Sequence, residues 1–336
     1  MNAAYLYSLI AVVVLGLIAF AGVEAAGLDG LFGIFIPYLA LVIFIVGFAN
    51  RIIDWAKSPV PFRIPTTSGQ QKSLDWIEYN RIDSPYTKGA VVVRMALEIL
   101  LFRSLFKNTR VGFAKVGDSD RLTYKWVVWL WLFAILFHYS FLVVVIPHLR
   151  FFAEPTPFFV SALEKVDGML QIGLPGLFIS GVALLAGATL LLFRRVFLPK
   201  VKYISRAADY FPLFLIIGIA ITGIMMRYFT KVDVVKVKEL TMGLASFHPS
   251  IPEGGLGGLF YVHLFFVAIL VAYIPFSKLM HMGGVFMSPT RNLPNNSRAE
   301  RHINPWNYPV ATHTYEEYED DFREKMKEAG LPVEKE

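Results

Sequence analysis

Apolar residues occur in long, nearly uninterrupted blocks along this chain. Six blocks cover roughly residues 5–22, 31–50, 126–147, 171–193, 211–229 and 258–280. A helix rises 1.5 Å per residue, so about 20 apolar residues span a hydrocarbon core about 30 Å thick. The pattern therefore predicts an all-α membrane protein with six transmembrane helices, a multi-pass protein of the cell membrane.

Composition supports this class and narrows the chemistry. Of the 336 residues 55% are hydrophobic and 17% are charged, which is less charge than a soluble domain usually carries. No basic stretch precedes the first apolar block, which is also too long for the core of a signal peptide, so we expect it to be a retained helix. Cysteine is absent, which excludes disulfides, cysteine-ligated iron–sulfur clusters and covalently attached c-type haem.

The basic residues alternate between connections. Segments 51–123, 194–210 and the tail from 282 carry 12, 5 and 7 of the 32 Lys and Arg residues, whereas 22–30, 150–170 and 227–256 carry none, 2 and 4. Because basic loops stay on the cytoplasmic side of a membrane, this distribution predicts that both termini are cytoplasmic. Four regions result: the first two helices (1–50), a cytoplasmic loop (51–123), a four-helix domain (124–281) and a cytoplasmic tail (282–336).

Two stretches outside the six blocks are also expected to be helical. Residues 89–106 are apolar but contain Arg94, Glu98 and Arg103, whose burial in lipid would cost about 2.5–3.5 kcal/mol each near the bilayer centre. We expect a helix along the cytoplasmic interface, or docked on a partner, rather than a seventh span. The polar tail is expected to end in a short helix around Tyr315–Ala329.

Four of the seven histidines fall in two spans. His138 and His148 lie in the third block, and His263 and His281 lie in or at the end of the sixth. Ten residues advance about 15 Å and eighteen about 27 Å along a helix, so two histidines of one helix cannot share a metal ion. The two spans run antiparallel, which pairs His148 with His263 near the outer face and His138 with His281 nearer the cytoplasm. This arrangement predicts two bis-histidine metal sites held between helices three and six.

The pairing leaves some questions open at the level of sequence. The two rises differ by about 12 Å, which helix tilt and kinks at Pro147 and Pro275 would absorb only in part. Membrane histidines can also simply hydrogen-bond neighbouring helices. Nearby hydroxyl groups could orient the rings, but sequence assigns none of them: Tyr139, Ser140, Tyr261 and Ser277. The other three histidines, His248, His302 and His313, are expected to be exposed and without a metal.

A histidine pair ten residues apart, followed two helices later by a pair eighteen apart, resembles the di-haem cytochrome b family of the respiratory nitrate reductase gamma subunit. The run from Phe62 to Ile77 resembles the DsrM branch of this family, the membrane cytochrome b of the sulfite-reduction-associated complex. The resemblance implies two b-type haems on His138, His148, His263 and His281. It also implies menaquinol as electron donor, a cytoplasmic iron–sulfur partner related to heterodisulfide reductase, and further membrane and periplasmic subunits. No nucleic-acid partner is expected.

A quinone site needs a polar anchor beside an apolar slot, and Lys165 in the outer connection is the favoured candidate for it, although a solvated loop lysine is the more common role of such a residue. Within the cytochrome class, a nitrate-reductase-type or heterodisulfide-reductase-type subunit is the alternative to the sulfite-linked one. A metal or proton transporter could use the same histidines, but the spans lack acidic residues and the chain lacks an internal repeat. A purely structural anchor for a cytoplasmic partner is a third possibility.

Overall fold

The structure is a computed structural model and describes residues 3–58, 69–117, 119–169, 171–173, 176–301, 303 and 311–335. Its helices and strands, in chain order, are α1 (Ala4–Glu24), α2 (Ile36–Lys57), α3 (Lys88–Leu101), α4 (Arg103–Phe106), β1 (Thr109–Val116), β2 (Ser119–Trp126), α5 (Val128–His148), α6 (Phe158–Met169), β3 (Gln171–Ile172), β4 (Leu177–Phe178), α7 (Ile179–Phe197), α8 (Pro199–Ile204), α9 (Ala207–Met225), α10 (Val234–Ala245), α11 (Gly258–Tyr273), α12 (His281–Gly284) and α13 (Tyr315–Glu328).

Within the described residues, six helices are long and apolar enough to cross a membrane. They are α1, α2, α5, α7, α9 and α11, and several continue into short 3₁₀ or π turns at their ends. The predicted number of six is therefore confirmed. Large apolar side chains point outward along these helices: Leu17 of α1 is 62% exposed and Val42 of α2 is 57% exposed. Such a surface is unfavourable in water but normal against lipid.

Four of these helices form the part of the bundle that carries the histidines. α5 packs against α7, α7 against α9, and α9 against α11. α1 lies against α9 and α11, and α2 lies against α11. Among the described residues, the backbones of α5 and α11 make at most marginal contact, so this four-helix group is open between the two helices that carry the histidines.

Glycine allows the closest helix contacts. A Cβ atom placed on Gly187 of α7 would lie 2.9 Å from the backbone N and Cα of Phe137 in α5. The Phe266 ring of α11 fits between Gly16 of α1 and Gly218 of α9, each of which would place a Cβ 3.0 Å from it. Small residues at these points let the helix backbones approach, as is common in membrane bundles.

One end of the bundle, here called the basic side, carries the Lys- and Arg-rich connections and the beginning of α1, where the Ser8 hydroxyl donates to the Ala207 carbonyl. The helix expected over 89–106 is present there, but it divides into α3 and α4 at Phe102, whose φ of 49° is left-handed. The strands β1 and β2 then pair antiparallel, with Val116 opposite Ser119. The expectation of an all-α chain was therefore wrong for residues 109–126. Gly117, at a φ of 66°, adopts the turn conformation between the strands without strain.

The opposite side carries two helices that the apolar blocks did not predict, α6 and α10. Asp233 caps α10 by accepting hydrogen bonds from the backbone amides of Val235 and Lys236. The fourth block was predicted to be helical from residue 171, but Gln171–Ile172 pairs with Leu177–Phe178 as a short hairpin and the helix begins only at Ile179. Apolar composition alone does not separate a buried strand from a helix, which explains this error.

The sixth block, predicted as one helix over 258–280, is interrupted. α11 ends at Tyr273, Pro275 lies in a 3₁₀ turn, and one more 3₁₀ turn, Lys278–Met280, leads to His281. The interruption expected at Pro275 is confirmed, whereas α5 continues as a helix through Pro147 to His148. The estimate of about 27 Å between His263 and His281 assumed one continuous helix, so it no longer applies.

The tail helix predicted around Tyr315–Ala329 is confirmed as α13, which ends at Glu328. Thr314 accepts a hydrogen bond from the backbone amide of Glu317, and the Glu317 side chain accepts one from the amide of Thr314. This reciprocal capping box satisfies two amides that a helix N-terminus otherwise leaves free. The chain then folds back, and the amides of Glu334 and Lys335 donate to the Glu319 carboxylate.

Candidate functional site

The structure brings His138 and His281 together across the opening between α5 and α11. Their ring centroids are 5.9 Å apart and the ring planes are nearly perpendicular, at 86°. His138 lies in the middle of α5 and is half-buried, whereas His281 begins α12, after the interruption at Pro275. The interruption therefore explains how a residue beyond the end of α11 reaches the level of His138. These two residues are here called the basic-side pair.

His148 and His263 form a second pair near the other end of the opening, here called the opposite-side pair. His148 is the last residue of α5, and His263 lies one and a half turns into α11. The two imidazoles are close enough to interact electrostatically. Ten residues of continuous helix separate His138 from His148, so the two pairs lie about 15 Å apart along α5.

Every one of the four rings has its Nδ1 atom engaged. His138 Nδ1 lies 2.8 Å from the Ala134 carbonyl, His148 Nδ1 2.7 Å from the Val144 carbonyl, His263 Nδ1 2.8 Å from the Thr222 hydroxyl and His281 Nδ1 2.8 Å from the Lys278 carbonyl. A carbonyl oxygen only accepts, so Nδ1 carries the proton in those three rings. The remaining nitrogen, Nε2, is then a free lone-pair donor, which is the state of a metal-binding histidine.

Thr222 plays the same part for His263. Its hydroxyl donates to the Gly218 and Ile219 carbonyls of its own helix, 2.8 and 3.1 Å away. With its hydrogen used in this way, the oxygen accepts from His263 Nδ1. None of the hydroxyls considered from sequence has this role: Tyr139 donates to the Leu100 carbonyl and Ser140 to the Leu136 carbonyl. A threonine four residues after a glycine inside an apolar helix is the signal that could have indicated it.

The donor set fits a haem iron held between two imidazoles. A metal bound at about 2 Å by each nitrogen places two imidazole centres about 6 Å apart, which agrees with the 5.9 Å of the basic-side pair. Within the described residues, no three side chains of the His, Cys, Asp or Glu types converge on one point. Glycine supplies room beside the rings, since a Cβ on Gly223 would lie 3.3 Å from Cε1 of His263.

Aromatic and basic groups border both pairs. Phe102, between α3 and α4, contacts His138 edge to face, with ring centroids 5.0 Å apart. Arg227 and Arg150 both interact electrostatically with His148. The guanidinium of Arg227 also lies over the Phe178 ring at 3.9 Å. Arg227 was not singled out from sequence; its position as a cation near the end of the fifth apolar block is the signal that was available.

The predicted quinone anchor, Lys165, lies on α6 on the opposite side and is exposed. None of the contacts described for these residues joins it to a histidine, and its role stays a prediction. Its acidic neighbours are engaged: Glu164 pairs with Arg150 at 2.9 Å, and Asp167 accepts a hydrogen bond from Ser180 at 2.7 Å. Of the remaining histidines, His248 and His313 are exposed, and His302 lies outside the described residues.

The fold defines a multi-pass membrane protein whose bundle carries four histidines on α5, α11 and α12. Residues 91–296, which include all four histidines, match the family described as the nitrate reductase gamma subunit. The chain therefore belongs to the nitrate reductase gamma subunit family, and it is a protein of the cell membrane.

Individual relatives agree with this membership. An Hdr-like menaquinol oxidoreductase cytochrome b-like subunit of Archaeoglobus fulgidus is 48% identical over 282 residues, which are 82% of this chain and 83% of the relative. The protein of the same name from Archaeoglobus profundus is 46% identical over 277 residues, 81% of each chain. The respiratory nitrate reductase 1 gamma chain of Escherichia coli is 27% identical over 158 residues, 45% of this chain and 69% of its own.

Proposed function

We propose that this chain is a di-haem cytochrome b that transfers electrons between menaquinol and a partner on the basic side of the membrane. The observation that carries the proposal is the state of the four histidines: each ring has Nδ1 engaged, which leaves Nε2 as the ligand atom, and the rings of His138 and His281 approach to 5.9 Å between centroids across the opening between helices. His138 and His281 hold one b-type haem, and His148 and His263 hold the other.

The protein contributes position and orientation. A bound haem supplies a one-electron redox centre, and its potential depends on the ligands and on the hydrogen bonds behind them. The backbone carbonyls of Ala134, Val144 and Lys278 fix three rings, and Thr222 fixes the fourth. Because both α5 histidines lie on one rigid helix, the two sites stay about 15 Å apart along it. With haem bound, the two histidine pairs would hold redox centres at two depths of the bilayer.

Quinol oxidation is assigned to the opposite side, near His148. The relatives named as menaquinol oxidoreductase subunits support menaquinol as the donor. Lys165 is the proposed anchor of a quinone oxygen, and Arg227, which lies beside His148 and over Phe178, is a second cation near the same end of the bundle. Protons released there leave on the opposite side, while electrons move toward the basic side.

The basic side is proposed to be cytoplasmic, with both termini, following the distribution of Lys and Arg. The proposed electron acceptor is a cytoplasmic iron–sulfur protein related to heterodisulfide reductase, in a complex with further membrane and periplasmic subunits. The term Hdr-like in the names of two relatives supports this partner class. Within it, the DsrM-type role in sulfite or sulfate respiration is preferred to a nitrate-reductase-type role on the basis of residues 62–77.

Haem content tests the proposal directly. A pyridine haemochrome assay on the purified chain should report two non-covalent b haems. His138→Ala and His281→Ala should each leave one haem, and the double variant should also leave one, because both changes remove the same site. His148→Ala combined with His138→Ala should leave none. The matched control is His248→Ala, whose ring is exposed and bonded only to the nearby Ser246 carbonyl.

Two results would contradict the proposal. A colourless, redox-silent protein would favour a transporter or an anchor. Loss of both haems in the His138/His281 double variant, with normal folding and membrane insertion, would show that the pairs are assigned wrongly. Identification of the cytoplasmic protein that co-purifies separates the sulfite-linked, heterodisulfide-linked and nitrate-linked alternatives.

A further inference from the structure

Helix α3 has its polar and apolar faces reversed relative to a helix in water. Arg94 and Glu98 are only 3% and 8% exposed, and they lie on the face that packs against the protein. The opposite face consists of Val92, Val93, Ala96, Ile99 and Leu100, here called the α3 stripe, and all five side chains are exposed. The side chains of Val92 and Leu100 are 68% and 58% exposed, which makes them the most exposed of the large side chains in the stripe.

The stripe follows helical geometry. Its members recur at intervals of one, three and four residues, so they occupy roughly a third of the helix circumference. In water this distribution costs free energy twice. The buried charges of Arg94 and Glu98 lose their hydration, and the exposed apolar side chains of the α3 stripe are in contact with water. In lipid the same distribution is favourable, since charges must then face the protein.

The C-terminal end of α3 lies against the apolar part of α5. The Tyr139 hydroxyl donates to the Leu100 carbonyl at 2.7 Å, and the Trp131 indole donates to the Leu101 carbonyl at 2.7 Å. Phe102 contacts His138. Tyr139 is eleven residues beyond the first residue of α5, which places this contact about 16 Å along the helix axis from its start.

These two hydrogen bonds answer a requirement that applies inside a membrane. The last carbonyls of a helix have no partner within it, and in water they are hydrated. Hydrocarbon offers no donor, so buried protein groups must supply one. Side chains of α5 do this for α3, and the left-handed Phe102 then turns the chain back toward the basic side through α4.

The charged face of α3 is held by protein groups near its other end and along the return segment. Arg94 donates to the Thr290 carbonyl at 3.2 Å, and the Glu98 carboxylate accepts from the backbone amide of Ser104 at 3.1 Å. Arg103 and Lys107 both pair with the buried Asp83, at 3.2 and 2.5 Å. This network anchors the helix on its protein side and leaves the stripe free to face outward.

We propose that α3 is a re-entrant membrane helix that enters the leaflet on the basic side, with the α3 stripe in contact with lipid acyl chains and its tip, Phe102, covering the basic-side histidine pair. The span α5 also presents apolar side chains outward, since Trp129 and Leu132 are 65% and 42% exposed. The contact of Leu100 with Tyr139, in the middle of this span, is what selects acyl chains over a partner protein. The inference does not depend on haem binding or on the direction of electron flow.

Accessibility measured by electron paramagnetic resonance tests it. The chain has no cysteine, so single variants Val93→Cys and Leu100→Cys accept one spin label each in the full-length protein, purified with its partners and placed in lipid nanodiscs. Oxygen concentrates in hydrocarbon, whereas a charge-neutral nickel chelate stays in water. Val13→Cys in α1 serves as the lipid reference and Lys115→Cys in β1 as the water reference.

Labels at Val93 and Leu100 are expected to show oxygen-to-nickel accessibility ratios several-fold above that at Lys115 and close to that at Val13. Nickel accessibility equal to that at Lys115 would overturn the proposal, since the stripe would then be in water. Low accessibility to both reagents would also overturn it, because a partner protein would then cover the stripe. If the label at Leu100 prevents folding, Val92→Cys reports on the same face from the more peripheral end.

Discussion

The hydroxyl oxygen of Thr222 lies 2.8 Å from Nδ1 of His263, and it accepts that hydrogen bond because its own hydrogen is donated within α9. The contact joins two helices and determines which nitrogen of His263 is free. The other three site histidines find their acceptors in the backbone of their own local segment. His263 is therefore the one ligand candidate with a side-chain acceptor that substitution can remove, although the Ile219 carbonyl of α9 also lies within hydrogen-bonding reach of its ring.

Thr222→Val should alter the opposite-side site alone. Valine keeps the shape but removes the acceptor, so the imidazole loses basicity and stabilises ferric iron less well. We expect a higher midpoint potential for that haem and a 10- to 100-fold weaker retention, roughly the usual effect of such a change. Potentiometric titration with visible spectra measures both. Thr222→Ser is the matched control, and its midpoint potential and haem retention should stay close to those of the wild-type protein. Equal potentials in the valine variant and the wild-type protein would show that Thr222 does not tune His263.

Gly187→Ala should disturb the basic-side pair through close packing. The new Cβ would lie 2.9 Å from backbone atoms of Phe137, which cannot move aside as a side chain can. We expect a loss of about 1–3 kcal/mol in the free energy of unfolding, with reduced haem at His138. Thermal unfolding in detergent followed by haem absorbance is the measurement. Gly181→Ala, whose Cβ would meet only Ile224 at 3.9 Å, should change neither; identical stability of both variants would contradict the prediction.

Lys278→Met should weaken the turn that presents His281. Lys278 pairs with Asp209 at 2.5 Å, and the Asp209 side chain is only 2% exposed. Because the lysine itself is largely exposed, we expect a cost of about 1–2 kcal/mol rather than that of a fully buried pair. Haem should be lost from the basic-side site first, as counted by haemochrome assay.

The double variant Asp209→Asn/Lys278→Met is the control for this pair. It removes the uncompensated carboxylate together with its partner, so part of the lost haem should return. No recovery would show that Lys278 acts in some way other than neutralising Asp209.

The end of the tail should detach at low pH. The backbone amide of Glu334 and then that of Lys335, together with Arg323, hold the pKa of the Glu319 carboxyl below its usual range. A lowered folded-state pKa means that this stabilisation is complete above the unfolded-state pKa, about 4.3, and is lost as pH falls through the lower folded value. Hydrogen exchange at the Glu334 and Lys335 amides, corrected for intrinsic rates, should therefore lose protection in acid.

Glu319→Gln should lose this protection already at neutral pH, since a neutral amide oxygen accepts more weakly than a carboxylate. Glu324→Gln is the matched control, because Glu324 is exposed on the same helix. Protection that is equal in both variants and independent of pH would contradict the role of Glu319.

Lys165→Ala should raise the KM for a soluble menaquinol analogue while both haems remain, if Lys165 anchors a quinone oxygen. The control is Lys238→Ala on the same side, since Lys238 pairs with Glu154. Steady-state oxidation of the analogue, with an artificial acceptor on the basic side, measures the effect. Normal oxidation of the analogue by the Lys165 variant would show that Lys165 does not anchor the quinone. Arg227→Gln would then be the next variant to measure.

The sequence by itself determined the class and most of the architecture. Apolar blocks long enough to cross a bilayer are visible without any tertiary information, because each span satisfies its own backbone hydrogen bonds and meets lipid as an individual helix. The six spans followed from this, and the local patterns of residues 89–106 and 315–329 indicated two further helices. The pairing of His138 with His281 also followed. The order and direction of the spans determine which helix ends lie on the same side of the membrane.

Tertiary structure decided what depends on contacts between distant segments. The break at Pro275 brings His281 to the level of His138, and no count of residues along a straight helix could supply that. Thr222 became the partner of His263 only through the contact of α9 with α11. The hairpin of residues 109–126 and the reversed faces of α3 were not predicted from sequence, for the same physical reason. Strand pairing and burial depend on segments that are distant in sequence, whereas an apolar span depends only on its own residues.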